Sequence, residues 1–268
     1  MKHIPRKRFG QHFLTDEGII CAIVEAVNPK PDDVLVEIGP GLGALTKPLL
    51  DRVPHLHVVE LDRDIIGRLK NTWSIERITI HEGDALKFDF GSIGRPLRVV
   101  GNLPYNISTP LLFHLMDYAD FISDMTFMLQ KEVVDRMVAA PSTHAYGRLS
   151  VMLQHRFHME ALFDVPPEAF IPPPKVQSAI VHMIPKSGGE IVTLDEKLFG
   201  EIVAAAFSQR RKTLRNALAG RLGPEEFVEL GTDSRLRAEN LGVADYEAIT
   251  LHVANRNASL FLPSRPKA

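Results

Sequence analysis

Between Asp33 and Gln130 short runs of aliphatic and β-branched residues alternate with stretches of helical periodicity. The pattern predicts strands over Val34–Ile38, Leu56–Glu60, Arg77–His81, Leu97–Val100 and Met125–Leu129, and helices over Ala44–Arg52, Asp62–Asn71 and Ser108–Tyr118. Strands that alternate with helices in this way build a parallel sheet with crossover helices. Asp62 and Ser108 stand where helix N-caps belong. Upstream, Ile19, Ile20, Ile23, Val24 and Val27 recur on one face of a leading helix, capped by Thr15 or Asp16. Downstream, Met159–Val165 and Val176–Ile184 read as two further strands. The segment 166–175 (PPEAFIPPPK) between them is too rich in proline for a helix or a central strand. Such a stiff loop would hold its one aromatic ring, Phe170, in a fixed and exposed place. After the 185–189 stretch (PKSGG) the pattern is helical to the end, which marks a domain boundary.

Composition adds limits. The chain has 268 residues, 45% hydrophobic and 24% charged, enough for one large α/β domain with its own core and a small appendage. Its one cysteine, Cys21, excludes an internal disulfide and any multi-cysteine metal site. Lying in the apolar run 19–24, it reads as a buried, inert thiol. Of the eleven histidines only His55/His57 and His155/His158 form close pairs, without cysteines or clustered carboxylates beside them. No metal site is expected there. The basic start (Lys2, Arg6, Lys7, Arg8) is followed by Asp16, Glu17 and Glu25 rather than an unbroken apolar stretch, so neither a signal peptide nor a membrane span is expected. These features predict a cytoplasmic protein.

The formal net charge of −2 decides nothing about nucleic acid, but its distribution does. Between Phe207 and Arg221 stand Arg210, Arg211, Lys212, Arg215 and Arg221 with no acidic residue. If this segment is one helix, Phe207, Leu214 and Leu218 share a face, with Lys212 opposite and Arg215 at the flank. Together with the basic N-terminal arm, it makes two patches suited to local phosphate contacts.

The chemistry starts at the turn Glu37-Ile38-Gly39-Pro40-Gly41-Leu42-Gly43-Ala44, which leaves the first of the alternating strands and opens a helix. Glycines there permit a tight turn and a close approach of ligand to backbone. Glu60 ends the next strand, where a carboxylate can accept both hydroxyls of a ribose. Gly83, Asp84 and Ala85 follow the third, where an acceptor and backbone amides could meet an adenine ring. In doubly wound sheets such turns converge on one crevice. The set suits an adenosine-containing cofactor without choosing it. Gly39, Gly41 and Ala44 also fit the looser dinucleotide fingerprint, so a nicotinamide dehydrogenase stays open at this point.

Asn102-Leu103-Pro104-Tyr105 comes directly after the fourth strand, at the same edge. An exocyclic adenine nitrogen is a poor nucleophile because its lone pair is delocalised into the ring. A side-chain oxygen and a backbone carbonyl, each accepting one of its hydrogens, hold it toward tetrahedral geometry. The lone pair then points at a methyl donor. Proline fixes the turn, and tyrosine supplies a flat face for the base. Phe170 would cover the other face of a flipped-out base, and such stacking contributes about 1–3 kcal/mol per base. No strong base is needed, so catalysis would come from alignment and preorganised dipoles.

These residues resemble the small-subunit ribosomal RNA adenine dimethyltransferases of the KsgA type. The matching stretches are 8–14 (RFGQHFL), 37–46, 59–62 (VELD), 83–86 (GDAL), 102–110, 130–133 (QKEV), 146–151 (YGRLSV), 170–178 and 210–216 (RRKTLRN), in order over most of the chain. The resemblance implies an α/β fold, a Rossmann-like class I methyltransferase sheet followed by a small all-helical C-terminal domain. It implies a methyltransferase domain over 1–185 that includes the basic arm, and a helical RNA-binding domain over 190–268. It implies S-adenosylmethionine held by His12, Leu14, Gly39, Gly41, Glu60, Asp84, Ala85 and Asn102. Asn102, Leu103, Pro104 and Tyr105 would form the methyl-transfer site, Tyr105 and Phe170 would stack on the base, and Arg210, Arg211, Lys212 and Arg215 would meet RNA. The implied substrate is a pair of adjacent adenosines in the 3′-terminal hairpin of small-subunit ribosomal RNA, within an assembling subunit, and each would receive two methyl groups. Many members have Asn where this chain has His12. A large-subunit resistance methylase and a ribosome-assembly factor are the competing readings; a monomer is expected.

Overall fold

The apolar runs fold as strands in the computed structural model of the chain, which describes residues 12–209 and 211–260. In chain order they and the helices between them are β1 (Phe13–Leu14), α1 (Glu17–Val27), β2 (Val34–Ile38), α2 (Thr46–Leu50), β3 (Leu56–Glu60), α3 (Arg63–Thr72), β4 (Ile78–Glu82), β5 (Leu97–Asn102), α4 (Ser108–Met116) and β6 (Ile122–Gln130). There follow α5 (Lys131–Met137), α6 (Arg148–Arg156), β7 (Phe157–Val165), β8 (Phe170–Ile171), β9 (Ser178–Pro185), α7 (Glu196–Phe207), α8 (Leu214–Ala217), α9 (Pro224–Glu229) and α10 (Val243–Leu260).

Seven strands form one sheet in the order β4-β3-β2-β5-β6-β9-β7. The first five are parallel, and β9 and β7 join antiparallel. Leu35, Val36, Ile38, Val58, Val59, Val99, Val100 and Phe127 are buried on both faces, which is why these strands read as continuous apolar runs rather than alternating ones. Each such side chain contributes about 1.5–3 kcal/mol by leaving water. Strand order reverses between β2 and β5, and a crevice opens there at the carboxyl ends. Gly101 lets β5 lie tight against β2: a Cβ there would stand 2.6 Å from the Ile38 carbonyl oxygen. At the amino ends of the strands Arg98 ties β5 to its neighbours through Asp33 (2.6 Å) and Asp124 (2.8 Å).

Local differences from the pattern have local causes. Asp62 does cap α3, accepting from the Asp64 N–H at 3.0 Å. Ser108 instead starts α4 and turns its hydroxyl back to the Tyr105 carbonyl oxygen at 3.1 Å. The helix expected from Ala44 begins at Thr46, because residues 41–45 stay in the glycine turn. Asp16 caps α1, whose buried face holds Ile23, Val24 and Val27. Cys21 is exposed, not buried, and donates to Glu25 at 3.7 Å: one residue beyond Ile20, it is rotated by a helical step onto the polar face.

The chain divides into two compact units, one formed by the chain up to Asp135 with Phe157–Pro185, the other by Arg136–Arg156 with the chain from Lys186 onward. Residues 136–156, expected with the sheet, cluster with the helices of the second unit. There α7 packs on α6 and α10, and His155 of α6 meets Glu196 (3.4 Å) and Glu247 (2.7 Å). The single helix considered for 207–221 is broken: α7 ends at Phe207 and α8 begins at Leu214. Leu214 and Arg215 donate backbone N–H groups to Leu236 and Ser234 instead of extending α7. No helix among the described residues is long and apolar enough to cross a membrane.

Candidate active site

The crevice is a cavity of about 590 Å³ in the sheet-bearing unit, well within the roughly 300–1,000 Å³ typical of small-molecule sites. The β2 turn forms one wall. Gly41 adopts φ +56°, and a Cβ there would stand 3.3 Å from the Phe13 ring, so the residue must be small. Glu37, just before the turn, is buried and accepts the Thr46 hydroxyl at 2.6 Å. Burial pushes its pKa up to about 8 against the Thr46 hydrogen bond, with the Glu60 charge adding.

Glu60 ends β3 with one carboxylate oxygen accepting from the Leu61 and Asp62 N–H groups, both at 2.8 Å. A carboxylate has roughly four acceptor positions, so capacity remains for ribose hydroxyls. Burial raises its pKa, and those backbone N–H groups oppose the rise. Asp84, after β4, accepts from the Leu86 N–H at 3.0 Å and presents its carboxyl to the same cavity.

Asn102 closes β5, and its side-chain amide donates to the His12 carbonyl oxygen at 3.1 Å. Tyr105 is held by its hydroxyl against the buried Ser178 hydroxyl at 2.6 Å, and by its carbonyl, which accepts from Ser108. Burial raises its pKa, partly offset by Ser178. The His12 ring lies against it, centroids 5.7 Å apart and planes 24° from parallel.

One cavity thus brings together His12, Leu14, Gly39, Gly41, Glu60, Asp84, Ala85, Asn102, Leu103, Pro104 and Tyr105. Phe170 does not join them. It is 1% exposed, paired with Leu14 between β1 and β8 and packed in the core cluster with Val165 and Ile180, so the exposed ring expected from the proline loop is absent. Arg211, Lys212 and Arg215 are exposed on the second unit; Arg210 and the arm residues Lys2, Arg6, Lys7 and Arg8 lie outside the described residues. Sequence reasoning missed Phe13 and Ser178 as parts of the site and gave Glu37, the first residue of the glycine turn, no role of its own, although each lies within one of the family-like stretches. Among the described residues no group of three or more His, Cys, Asp or Glu is disposed to hold a metal ion.

Acceptors at the ends of β3 and β4, a glycine wall at β2 and an apolar floor fit an adenosine bearing an amino-acid tail. With the parallel sheet and its antiparallel β9–β7 edge, they define a class I S-adenosylmethionine-dependent methyltransferase. The model of the ribosomal RNA adenine dimethylase family matches residues 2–256. The chain is 68% identical over 254 residues to ribosomal RNA small subunit methyltransferase A of Thiobacillus denitrificans, covering 95% of this chain and 100% of that one. Its counterpart from Nitrosospira multiformis is 65% identical over 250 residues, with 93% and 96% covered. Among solved structures, a dimethyladenosine transferase from Plasmodium falciparum superposes with TM-score 0.79 at 26% identity, covering 92% and 98%. The 23S rRNA methyltransferase ErmE shares the fold, with TM-score 0.70 at 23% identity and 90% and 99% covered. The chain belongs to the ribosomal RNA adenine dimethylase family: it is an enzyme that dimethylates adenine in ribosomal RNA with S-adenosylmethionine as methyl donor.

Proposed function

We propose that the enzyme dimethylates two adjacent adenosines in the 3′-terminal hairpin of small-subunit ribosomal RNA, acting as a cytoplasmic monomer on the assembling subunit. The observation that carries the chemistry is the Asn102–Tyr105 turn lining an adenosine-sized cavity, on the strand next to the glycine turn. The 68% identity to a small-subunit methyltransferase supports the choice of subunit.

Glu60 accepts the ribose hydroxyls of the methyl donor, and Asp84 with the Ala85 backbone reads its adenine. When bound, S-adenosylmethionine supplies an electrophilic sulfonium methyl group. Asn102 Oδ1 and a backbone carbonyl of the turn each accept a hydrogen of the target amine, drawing its lone pair out of conjugation. Their dipoles also meet the positive charge that grows on nitrogen. Tyr105, fixed by Ser178, presents a face to the base. The product cation then loses a proton to solvent, and a second cycle on the same nitrogen completes dimethylation. His12, Leu14, Gly39 and Gly41 line the donor's side of the cavity. Arg211, Lys212 and Arg215 contact phosphates, which is consistent with their exposure.

The test is methyl transfer from labelled S-adenosylmethionine to unmethylated small subunits, to their naked RNA and to large subunits, with the product nucleoside identified by mass spectrometry. Dimethyladenosine at adjacent positions of the small-subunit hairpin is the expected result. Product confined to large-subunit RNA would overturn the assignment.

A further inference from the structure

A side-chain amide has one donating and one accepting end, and only its partners tell them apart. One end of the Asn102 amide lies 3.1 Å from the His12 carbonyl oxygen. A carbonyl only accepts, so the nitrogen must stand on that side; an oxygen there would face another oxygen with no proton between them. The Asn102 oxygen is therefore turned away from His12, the orientation that an acceptor of amine hydrogens requires.

The His12 carbonyl is itself pinned. Phe13 and Leu14 pair with Ile171 and Phe170, and the Thr15 N–H donates to the Ala169 carbonyl at 2.8 Å. The His12 imidazole adds a tie of its own, with Nδ1 2.8 Å from the Pro172 carbonyl oxygen. Because that partner only accepts, Nδ1 carries the proton. The same ring rests on Tyr105. One residue thus joins the N-terminal ribbon, the proline loop and the Asn102–Tyr105 turn.

We propose that His12 is a positioning residue for methyl transfer: tied to Pro172 through its ring, it uses its backbone carbonyl to fix the Asn102 amide with the oxygen toward the substrate amine. This rests on reading Asn102 as the acceptor of those hydrogens. The role is separate from any contact that His12 makes with the methyl donor, because it acts on the reacting nitrogen through Asn102.

His12→Ala removes the tie to Pro172, whereas His12→Asn keeps an N–H donor at nearly the same position. Both are made in the full chain. Turnover is measured at saturating S-adenosylmethionine and cofactor affinity by calorimetry. The side-chain amide of Asn102 is followed by 1H–15N spectroscopy, assigned by its loss in Asn102→Asp. In His12→Ala, kcat at saturating cofactor should fall about tenfold, the change expected when one aligning hydrogen bond is lost, whatever the cofactor Kd becomes. The Asn102 amide proton should move upfield and exchange faster. His12→Asn should restore most of kcat and the wild-type resonance. Unchanged kcat with weakened cofactor binding would make His12 a cofactor contact only and overturn the proposal. So would an Asn102 resonance indifferent to His12→Ala, or a His12→Asn variant no better than His12→Ala. The resonance needs no substrate, so it decides the role of His12 even if the small-subunit hairpin proves to be the wrong RNA.

Discussion

Replacing Glu60 by glutamine separates what this side chain does for the fold from what it does for the methyl donor. One carboxylate oxygen already serves the Leu61 and Asp62 N–H groups at 2.8 Å each, and the amide oxygen of glutamine can take over that duty. The other position becomes an N–H₂ group, a donor where a ribose hydroxyl needs an acceptor, and the charge is lost. Hydrogen bonds to charged groups contribute about 1.5–3 kcal/mol, so a loss near 2 kcal/mol follows, about 30-fold in Kd for S-adenosylmethionine. Thermal stability should move by less than about 3 °C, since the Leu61 and Asp62 N–H groups keep an oxygen acceptor. Glu60→Ala orphans both N–H groups and should lower stability as well as affinity. Titration calorimetry across pH gives a second reading. Burial raises the Glu60 pKa, so wild-type affinity falls as pH falls through that raised value, and Glu60→Gln loses this component. A glutamine variant within about threefold of wild type, with the pH dependence intact, would refute the placement of the ribose at Glu60.

Asn102→Ala should reduce turnover about 100-fold or more, with RNA affinity changed only a few-fold, as measured by single-turnover methylation beside filter binding. Neutralising Arg211, Lys212 and Arg215 together should weaken RNA binding and reduce the slope of log affinity against log salt by roughly 0.7–0.9 for each phosphate no longer neutralised, with cofactor Kd unchanged; an unaltered slope would place the RNA elsewhere. For His155, burial pulls the pKa down, but the Glu196 and Glu247 carboxylates outweigh it and hold the pKa above its ordinary value. That stabilisation is complete below the unfolded pKa and is lost as pH rises through the raised folded one. Calorimetric Tm should decline over that window in the wild type and lose this component in His155→Gln.

What can be read from sequence is what depends on neighbours in the chain. Strands buried on both faces announce themselves as unbroken apolar runs, and the residue after each strand reaches the same sheet edge whatever lies between. Glu60, Asp84 and Asn102 are legible for that reason, though they stand far apart in the chain. Cys21 departs from its apolar surroundings because helical phase, and not the composition of the run 19–24, decides which face it takes. Phe170 departs for a deeper reason. A proline-rich loop looks exposed on its own, but Phe170 pairs with Leu14 across more than half the chain, and only that pairing brings it into the core. The same long-range ribbon supplies Phe13 to the wall at Gly41 and the His12 carbonyl to Asn102. Segment 148–156 follows the same rule: it packs on α7 and α10, helices that lie well beyond it in sequence. Local periodicity therefore locates the acceptors that face a ligand, while the groups that orient them come from pairings that no local pattern encodes.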